Sequence, residues 1–310
     1  MSYPKFEKIR LDVDSQGIAV VTLDNPEMRN AITLELSAEM NRLLDQVRLD
    51  RAIRVVVVTG EGEESFCAGM SLHDFRELEG RNWELYRPGE SMLDWWRKLH
   101  ELPQPSIAAV NGFCVGGGFC VLNSCDLALA SERAIFSLSE INFGSIPGGG
   151  AMRAVLEMMP PKAAMYLILS GKPIDAEEAC RNGLVNRVVA HGQLREEALV
   201  LARVLAAHPW QTLEWCKRTA YGLKAIADRG LAIEYETAMA HFQDQARPPH
   251  GASKSERLEA FARKRYKPGL EAYDASAAES NDAHREDEHG DDQHGAGSDR
   301  SPAAWPDPDA

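Results

Sequence analysis

The sequence predicts an α/β core followed by a helical C-terminal part, and two patterns support this prediction. Short runs of β-branched and other apolar residues dominate the first half of the chain, whereas stretches with helical spacing dominate the second half. Strand-like and helix-like segments alternate, as they do where helices connect the strands of a sheet. No repeat that would indicate a solenoid is present.

The predicted strands are continuous apolar runs. Residues 17–23 have the sequence GIAVVTL, and residues 54–59 have the sequence RVVVVT. Runs of this kind are typical of strands that are buried on both faces. Further strands are predicted at residues 106–110, 126–130, 134–138 and 186–190.

The first predicted helix follows Thr33, a residue type that commonly caps a helix N-terminus. Its apolar positions recur at helical spacing and are Leu36, Met40, Leu43, Leu44 and Val47. Further helices are predicted near residues 119–125, 161–169, 176–182, 193–207 and 212–228.

Length and composition favour one large domain over two equal ones. The chain has 310 residues, of which 44% are hydrophobic, and this is enough for a sizeable core. Its net charge of −13 argues against a broad nucleic-acid-binding surface. We therefore expect no nucleic acid among its partners.

The negative charge is concentrated at the C-terminal end. Residues 274–310 contain eleven Asp and Glu residues against two Arg, so this segment carries nine of the thirteen net negative charges. It has no Val, Ile, Leu, Met or Phe and cannot bury enough apolar surface to offset the entropy of ordering it. We expect a disordered acidic tail and, because its histidines have no fixed scaffold, no metal site.

Three observations predict a cytoplasmic protein without a membrane span. The N-terminal sequence MSYPKFEKIRL has no apolar stretch of the kind that a secretory signal requires. The uncharged run at residues 102–125 has the length of a membrane span but contains two prolines and four glycines, so buried strand, glycine loop and helix explain it better. The six cysteines include no CxxC pair and are expected to be reduced thiols.

Three glycine-containing segments stand out: residues 66–70 (FCAGM) and 111–119 each follow a predicted strand, and a third segment lies at residues 137–150. Glycines at a strand–helix junction allow close approach of a ligand, and the N–H groups at a helix start favour negative charge. Such a loop would hold an oxyanion or a phosphate, or would only form a tight turn. The phosphate alternative is weakened because neither GxxxxGK[ST] nor GxGxxG occurs.

Glu140 is the candidate acid–base group. It lies in the segment IFSLSEINFG, which is otherwise made of apolar, small and amide residues. Desolvation there would raise its pKa and allow it to exchange protons near neutral pH. The alternative is an ordinary glutamate at a helix start or in an exposed loop. Neither GxSxG nor HExxH is present to suggest a serine nucleophile or a zinc site.

Taken together, these motifs resemble those of the crotonase (enoyl-CoA hydratase/isomerase) superfamily over roughly residues 3–273. The matching segments, in order, are DNPEMRNAIT (24–33), AGM (68–70), VNGFCVGGGF (110–119), CDLALA (125–130), SEINFGSIPGGG (139–150) and GLVNRVV (183–189). The order and spacing of the segments make this a specific match, although each segment alone is a weak signal.

The resemblance implies a ββα superhelix at residues 1–200, a helical C-terminal trimerisation region at 201–273 and the tail at 274–310. It also implies a homotrimer or hexamer that acts on an acyl-CoA thioester and has no bound cofactor. The backbone N–H groups of Met70 and Gly117 would form an oxyanion hole. Substrate-binding positions implied by the match are Ala68, Phe75, Cys120, Tyr235, Arg29 and Gly148.

Cys120 departs from the pattern of enoyl-CoA hydratases, which use two glutamates. One of these matches Glu140, and the other would fall at Cys120. The subgroup that the chain resembles most is hydroxycinnamoyl-CoA (feruloyl-CoA) hydratase-lyase, which is similar in its AGM, GGGF and SEIN-type loops and in the ending KPGLEAY at residues 267–273. This similarity implies hydration followed by retro-aldol cleavage, with one glutamate serving both steps.

The lyase subgroup grips the phenolic oxygen of its substrate with tyrosines. One would fall at Phe75, which has no hydroxyl, and the other would fall at Tyr235 or at Ala240. The sequence therefore leaves open whether the substrate has a free 4-hydroxyl on its ring. A simple enoyl-CoA hydratase, an enoyl-CoA isomerase and a non-catalytic acyl-CoA-binding protein are the alternative functions.

Overall fold

The computed structural model describes residues 3–77 and 94–226 together with Glu259 and Arg263. These residues belong to a unit that spans residues 1–270. Its strands are β1 (Ile9–Val13), β2 (Ile18–Leu23), β3 (Val55–Gly60), β4 (Ser65–Cys67), β5 (Ser106–Val110), β6 (Phe113–Val115), β7 (Leu127–Ser131), β8 (Ile135–Ser137), β9 (Ile174–Asp175) and β10 (Arg187–Val189).

The α-helices of the described residues follow the strands along the chain. They are α1 (Leu34–Leu49), α2 (Leu72–Glu77), α3 (Trp95–His100), α4 (Gly118–Ser124), α5 (Ala151–Met158), α6 (Pro161–Ser170), α7 (Ala176–Arg181), α8 (Leu194–Ala206) and α9 (Trp210–Ile226). Short 3-10 turns lie at Pro26–Met28, Ser139–Phe143 and His191–Gln193.

The strands form two sheets, to which the chain adds strands alternately. The six-stranded sheet has the order β1-β2-β3-β5-β7-β10, and the four-stranded sheet has the order β4-β6-β8-β9. From β3 to β8, successive strands alternate between the sheets, so each strand pair adds one parallel strand to each. This arrangement, with helices after the strand pairs, confirms the predicted α/β superhelix.

The inner strands β2, β3 and β5 of the six-stranded sheet are buried on both faces, as the continuous apolar runs predicted. Along β2, Ala19 and Val21 belong to the larger core, whereas Ile18 and Val20 belong to a second core on the opposite face. That second core is closed by α8 with its inward residues Leu194, Ala198 and Ala202. Because successive side chains of a strand point to opposite faces, β2 contributes residues to both apolar cores.

Helix α1 begins where the sequence predicted. The Thr33 hydroxyl accepts a hydrogen bond of 3.0 Å from the Leu36 N–H and so satisfies one of the donors that a helix start leaves unpaired. All five predicted apolar positions of α1 are at most 1% exposed. Burial of each such side chain contributes about 2 kcal/mol.

Helix α9 is fastened to the sheet through Asp126, which immediately precedes β7. Its Oδ2 lies 2.8 Å from Lys217 Nζ, and its Oδ1 accepts a hydrogen bond of 2.7 Å from the Tyr221 hydroxyl. Ser106 donates to the same carboxylate through its N–H and its hydroxyl, at 2.7 and 2.9 Å. Burial and the neighbouring Asp126 charge raise the pKa of Tyr221 above its usual value. Asp126 thus has a structural role that joins β5, β7 and α9.

The predicted strands and helices are found with small shifts at their ends, and the helical C-terminal part is present as α8 and α9. The sequence did not predict β1, β4, β6 and β9, nor the helices α2, α3 and α5. The uncharged run at 102–125 forms β5, β6 and α4. Over residues 3–77 and 94–226, no helix is long and apolar enough to cross a membrane.

Several predictions concern residues outside the described ones. They are the position of Tyr235, the ending at 267–273 and the tail at 274–310. Assembly into a trimer or hexamer, and the boundaries at residues 200 and 273, also stay predictions.

Candidate active site

The first glycine segment forms a braced loop after β4. Ile32 donates its N–H to the Gly69 carbonyl at 2.7 Å, and its own carbonyl accepts the Ser71 N–H at 2.8 Å. This is a parallel bridge between Ile32 and Met70. In such a bridge the central residue of the second segment points its N–H away from the first. The Met70 N–H is therefore directed away from Ile32.

The second glycine segment joins β6 to α4 and approaches the first loop closely. A Cβ atom built on Gly117 would lie 3.3 Å from the Met70 amide nitrogen, and one built on Gly69 would lie 3.0 Å from the Gly117 amide nitrogen. Among the described residues, neither of these two N–H groups donates to a protein acceptor. Gly117 also precedes the first turn of α4, where the helix dipole favours negative charge. The two predicted donors therefore border one small space.

Glu140 lies beside the same loop. It belongs to the 3-10 turn Ser139–Phe143, which follows β8. Strand β8 pairs with β6, and beyond this pairing Gly116 donates its N–H to the Ser137 carbonyl at 2.9 Å, so the turn lies next to the glycine loop. A Cβ built on Gly116 would lie 3.1 Å from Glu140 Oε1, whereas Glu140 Oε2 is shielded from solvent. A half-buried carboxylate and two backbone donors thus meet around residues 116 and 117.

The turn that carries Glu140 is hydrogen-bonded to Gly171, which lies between α6 and β9. The Gly171 carbonyl accepts hydrogen bonds from the Ser137 hydroxyl at 3.3 Å and from Asn142 Nδ2 at 3.1 Å. The Ser145 N–H also donates to the Glu140 carbonyl at 3.0 Å. Sequence reasoning missed Asn142 and Gly171, because no motif links two segments that are 29 residues apart.

Cys120 and Gly148, both predicted to bind substrate, are in contact. The Cys120 sulfur lies 3.5 Å from the Gly148 carbonyl oxygen. At the next residue, Gly149 has a φ of +68°, and a Cβ there would lie 3.1 Å from both the Cys120 sulfur and Cζ2 of Trp96. Residues 148–149 therefore pack on Cys120 of α4 and on Trp96 of α3.

Arg29 lies at the outer edge of the first loop. Its carbonyl accepts the Ala68 N–H at 3.1 Å, which links two of the predicted substrate-binding positions. Its guanidinium is 5.5 Å from the centre of the Phe113 ring, and its Nε is 3.9 Å from Glu64. Phe75 belongs to α2, but its side chain and the whole of Tyr235 lie outside the described part.

The cysteines near the loops behave as packing residues. Cys67 and Cys114 are fully buried neighbours on β4 and β6. Burial raises the pKa of the Cys67 thiol to about 12 and raises that of Cys114 well above its usual value. Neither thiol would ionise near neutral pH, so neither is suited to act as a nucleophile. The described residues also contain no cluster of side chains that would hold a metal ion.

Comparisons with known proteins identify the family of this chain. The family model for enoyl-CoA hydratase/isomerase matches residues 14–267. Hydroxycinnamoyl-CoA hydratase-lyase of Pseudomonas fluorescens is 38% identical over 204 residues, covering 65% of this chain and 73% of that protein. Short-chain-enoyl-CoA hydratase of Clostridium acetobutylicum is 32% identical over 232 residues, covering 74% and 84%. The crystal structure of carnitinyl-CoA hydratase from Mycobacterium avium has a TM-score of 0.68 at 31% identity, covering 84% and 97%.

This chain therefore belongs to the enoyl-CoA hydratase/isomerase family, the crotonase superfamily that its motifs indicated. It is a crotonase-type enzyme of acyl-CoA chemistry.

Proposed function

We propose that this chain hydrates hydroxycinnamoyl-CoA-type thioesters and then cleaves the product to an aromatic aldehyde and acetyl-CoA. The observation that carries the proposal is the placing of one carboxylate, Glu140, beside the loops of two backbone donors. The resemblance to the hydratases would put their second carboxylate at Cys120, which supports a scheme with one carboxylate. The 38% identity to a hydroxycinnamoyl-CoA hydratase-lyase supports the same choice. The proposal includes a homotrimer or hexamer, with the CoA thioester as substrate and no bound cofactor.

The N–H groups of Met70 and Gly117 would bind the thioester carbonyl oxygen. Both addition to Cβ and cleavage of the Cα–Cβ bond place negative charge on that oxygen, because each step passes through an enolate. Donors that are already in place stabilise this charge without reorganisation, and the loss of one such donor typically lowers kcat by about 10²–10³-fold.

Glu140 would serve both steps as the proton carrier. Its carboxylate takes a proton from water while the water oxygen adds to Cβ, and the resulting acid returns the proton to Cα. In the second step the carboxylate takes the proton of the β-hydroxyl, the C=O bond of the aldehyde forms and the Cα–Cβ bond breaks. The electron pair of that bond passes to the thioester enolate, which is then protonated at Cα to give acetyl-CoA.

Cys120 favours this one-carboxylate scheme over a two-carboxylate hydration. Its thiol contacts the Gly148 carbonyl and packs within the core, at 4% exposure. A buried thiol in this position would neither hold a water molecule as strongly as a carboxylate does nor share the proton transfers with Glu140. Proton transfer in both steps then falls to Glu140.

The direct test is a product assay with feruloyl-CoA and crotonyl-CoA side by side, reading aldehyde and acetyl-CoA by mass. Vanillin together with acetyl-CoA from feruloyl-CoA is the expected result. Hydration or isomerisation without aldehyde would remove the lyase proposal and leave the family assignment intact.

The role of Glu140 is tested by Glu140→Gln, with Glu39→Gln as a matched control. Glu39 is a glutamate with 4% exposure outside the candidate site, and its carboxylate accepts the N–H groups of Glu7 and Lys8 at 2.9 and 2.8 Å. We expect Glu140→Gln to lower kcat by about 10²–10⁴-fold with CoA-thioester binding retained. Equal kcat values for the two variants would contradict the assignment.

A simple enoyl-CoA hydratase is the second candidate. The 32% identity to a short-chain-enoyl-CoA hydratase extends over a longer stretch of the chain, and Phe75 lacks the hydroxyl that would grip a phenolic ring. An isomerase, which moves one proton by means of one carboxylate, is a further alternative. Crotonyl-CoA hydration without cleavage of feruloyl-CoA would favour the hydratase.

A further inference from the structure

Two buried asparagine amides lie behind the oxyanion loops. Asn30 is fully buried and has a φ of +55°, in the left-handed region that Asn adopts more readily than most residues. Its Nδ2 donates to the carbonyls of Glu61 and Ser65 at 2.9 and 2.7 Å. Its Oδ1 accepts the Asn25 N–H at 3.1 Å. Both donors and the acceptor of this side chain are therefore engaged.

Asn111 reaches the same place from the end of β5. Its Nδ2 lies 3.1, 2.8 and 3.1 Å from the carbonyls of Gly60, Gly62 and Ser65, and its Oδ1 accepts the Gly60 N–H at 3.2 Å. The two amides thus converge on one acceptor, the Ser65 carbonyl.

Ser65 is connected to the roots of both oxyanion loops. It is the first residue of β4, which runs directly into the loop that carries Met70. Its hydroxyl lies 2.8 Å from the Arg29 carbonyl, which also binds the Ala68 N–H, and 3.2 Å from the carbonyl of Phe113, the first residue of β6. Strand β6 leads to the loop that carries Gly117. A displacement of Ser65 would therefore be transmitted to both donors.

The backbone segments around these amides are in close contact with one another. A Cβ built on Gly60 would lie 2.2 Å from the Ser65 carbonyl oxygen and 2.6 Å from Asn30 Nδ2. A Cβ built on Gly112 would lie 2.0 Å from the Glu64 carbonyl oxygen. Because the backbone segments touch here, the separation of the strands depends on the hydrogen bonds that the two amides make.

We propose that Asn30 and Asn111 are positioning residues that set the distance between the Met70 and Gly117 N–H groups through the Ser65 carbonyl. This inference rests on the proposed role of those groups as an oxyanion hole. Neither asparagine contacts the space between the two donors, so both act only through the backbone. Their loss should weaken polarisation of the thioester carbonyl more than it weakens binding of the CoA portion.

Asn30→Gly and Asn111→Ala are the informative variants. Glycine at position 30 removes the amide and tolerates the positive φ, whereas alanine there would add backbone strain. Gln104→Ala is the matched control, because Gln104 is a buried amide that donates to the Val47 carbonyl at 2.9 Å. It precedes β5, whereas Asn111 follows β5, so the two lie at opposite ends of one strand.

The readout is the absorption band of cinnamoyl-CoA bound to the Glu140→Gln enzyme, in which turnover is blocked. Hydrogen bonds to the carbonyl polarise the conjugated thioester and move this band to longer wavelength. We expect a red shift in the parent and in Gln104→Ala, and a much smaller shift in Asn30→Gly and Asn111→Ala at saturating ligand. In the wild-type Glu140 background, kcat should fall by about 10- to 100-fold in both asparagine variants with a smaller change in KM.

The outcomes separate this inference from the proposed function. No red shift in the parent would mean that there is no oxyanion hole, and the proposed function itself would fall. A parent shift that persists unchanged in both asparagine variants would overturn the positioning role alone. If the asparagine variants do not fold, Asn111→Asp replaces the Nδ2 donor to the Ser65 carbonyl with an oxygen of similar size and keeps an acceptor for the Gly60 N–H. A smaller shift in Asn111→Asp supports the inference, and an unchanged one refutes it.

Discussion

Replacing Gly116 with alanine tests whether the Glu140 carboxylate has to lie against the glycine loop. The added Cβ would lie 3.1 Å from Glu140 Oε1 and 3.5 Å from the carboxyl carbon. The first distance is a few tenths of an ångström shorter than an ordinary carbon–oxygen contact, so the carboxylate must move by about that amount. Because the glycine loop also carries Gly117, this displacement would change the geometry between the base and the thioester.

Two effects of different size should follow. Gly116 has a φ of +53°, and a non-glycine residue in this left-handed region costs about 1 kcal/mol of folding free energy. A misplacement of about 1 Å can cost about 100-fold in rate, so a shift of a few tenths should lower kcat about 3- to 10-fold. Binding of the CoA portion should change little.

Gly62→Ala supplies the matched control, because Gly62 has a φ of +79° and no atom within 4 Å of its would-be Cβ. Both variants should lose similar stability in urea denaturation, but only Gly116→Ala should lose kcat in a steady-state assay with the thioester that the product assay identifies. In a Glu140→Gln background, Gly116→Ala should have little further effect on kcat. Equal kcat in the two alanine variants, or a full additional loss in the Gln background, would refute the reasoning.

Three further predictions concern the second donor, the tail and the attachment of α9. Gly117→Pro fits the observed φ of −55°, removes the proposed donor N–H and places a Cβ 3.3 Å from the Met70 nitrogen, so the variant should lose turnover, as kinetics would measure. A variant that is folded by circular dichroism and fully active would rule out Gly117 as a donor. Deletion of 274–310 should leave the melting temperature and kcat unchanged, and a large loss of melting temperature would contradict the disordered tail. Lys217→Met leaves the partly buried Asp126 charge without its cation and should cost about 2 kcal/mol in urea denaturation, between the values for exposed and buried pairs. Lys224→Met, on the same helix but 42% exposed, should cost less than about 1 kcal/mol.

The parts of the fold that the sequence predicted correctly are those in which one local pattern has a single structural solution. The run IAVVTL forms β2 because only a strand between two apolar cores places both of its faces away from water. Thr33 caps α1 because its hydroxyl accepts the Leu36 N–H within one turn, a contact that needs no tertiary information.

The strands that carry the oxyanion loops were harder to predict. Strands β4 (Ser65–Cys67) and β6 (Phe113–Val115) have three residues each, too few for a period of two to be distinguished from chance. They are held in the four-stranded sheet because β4 pairs with β6 and β6 pairs with β8, and the Asn30 and Asn111 amides bind the Ser65 carbonyl of β4. Such contacts join residues that are far apart in sequence and leave no periodic signal.

The candidate site was predictable to the extent that it depends on glycine. Its proposed donors are main-chain N–H groups, so the identity of residue 70 carries little information about its role. Glycine does carry information, because a Cβ at Gly69 or at Gly117 would lie about 3 Å from the amide nitrogen of the facing loop, in the space that an oxyanion would need. What the glycines do not indicate is the direction of the Met70 N–H, which follows from the bridge to Ile32 on a segment almost forty residues earlier in the chain. The sequence could therefore indicate where a backbone donor would be needed, but only the folded chain determines which N–H group points into that space.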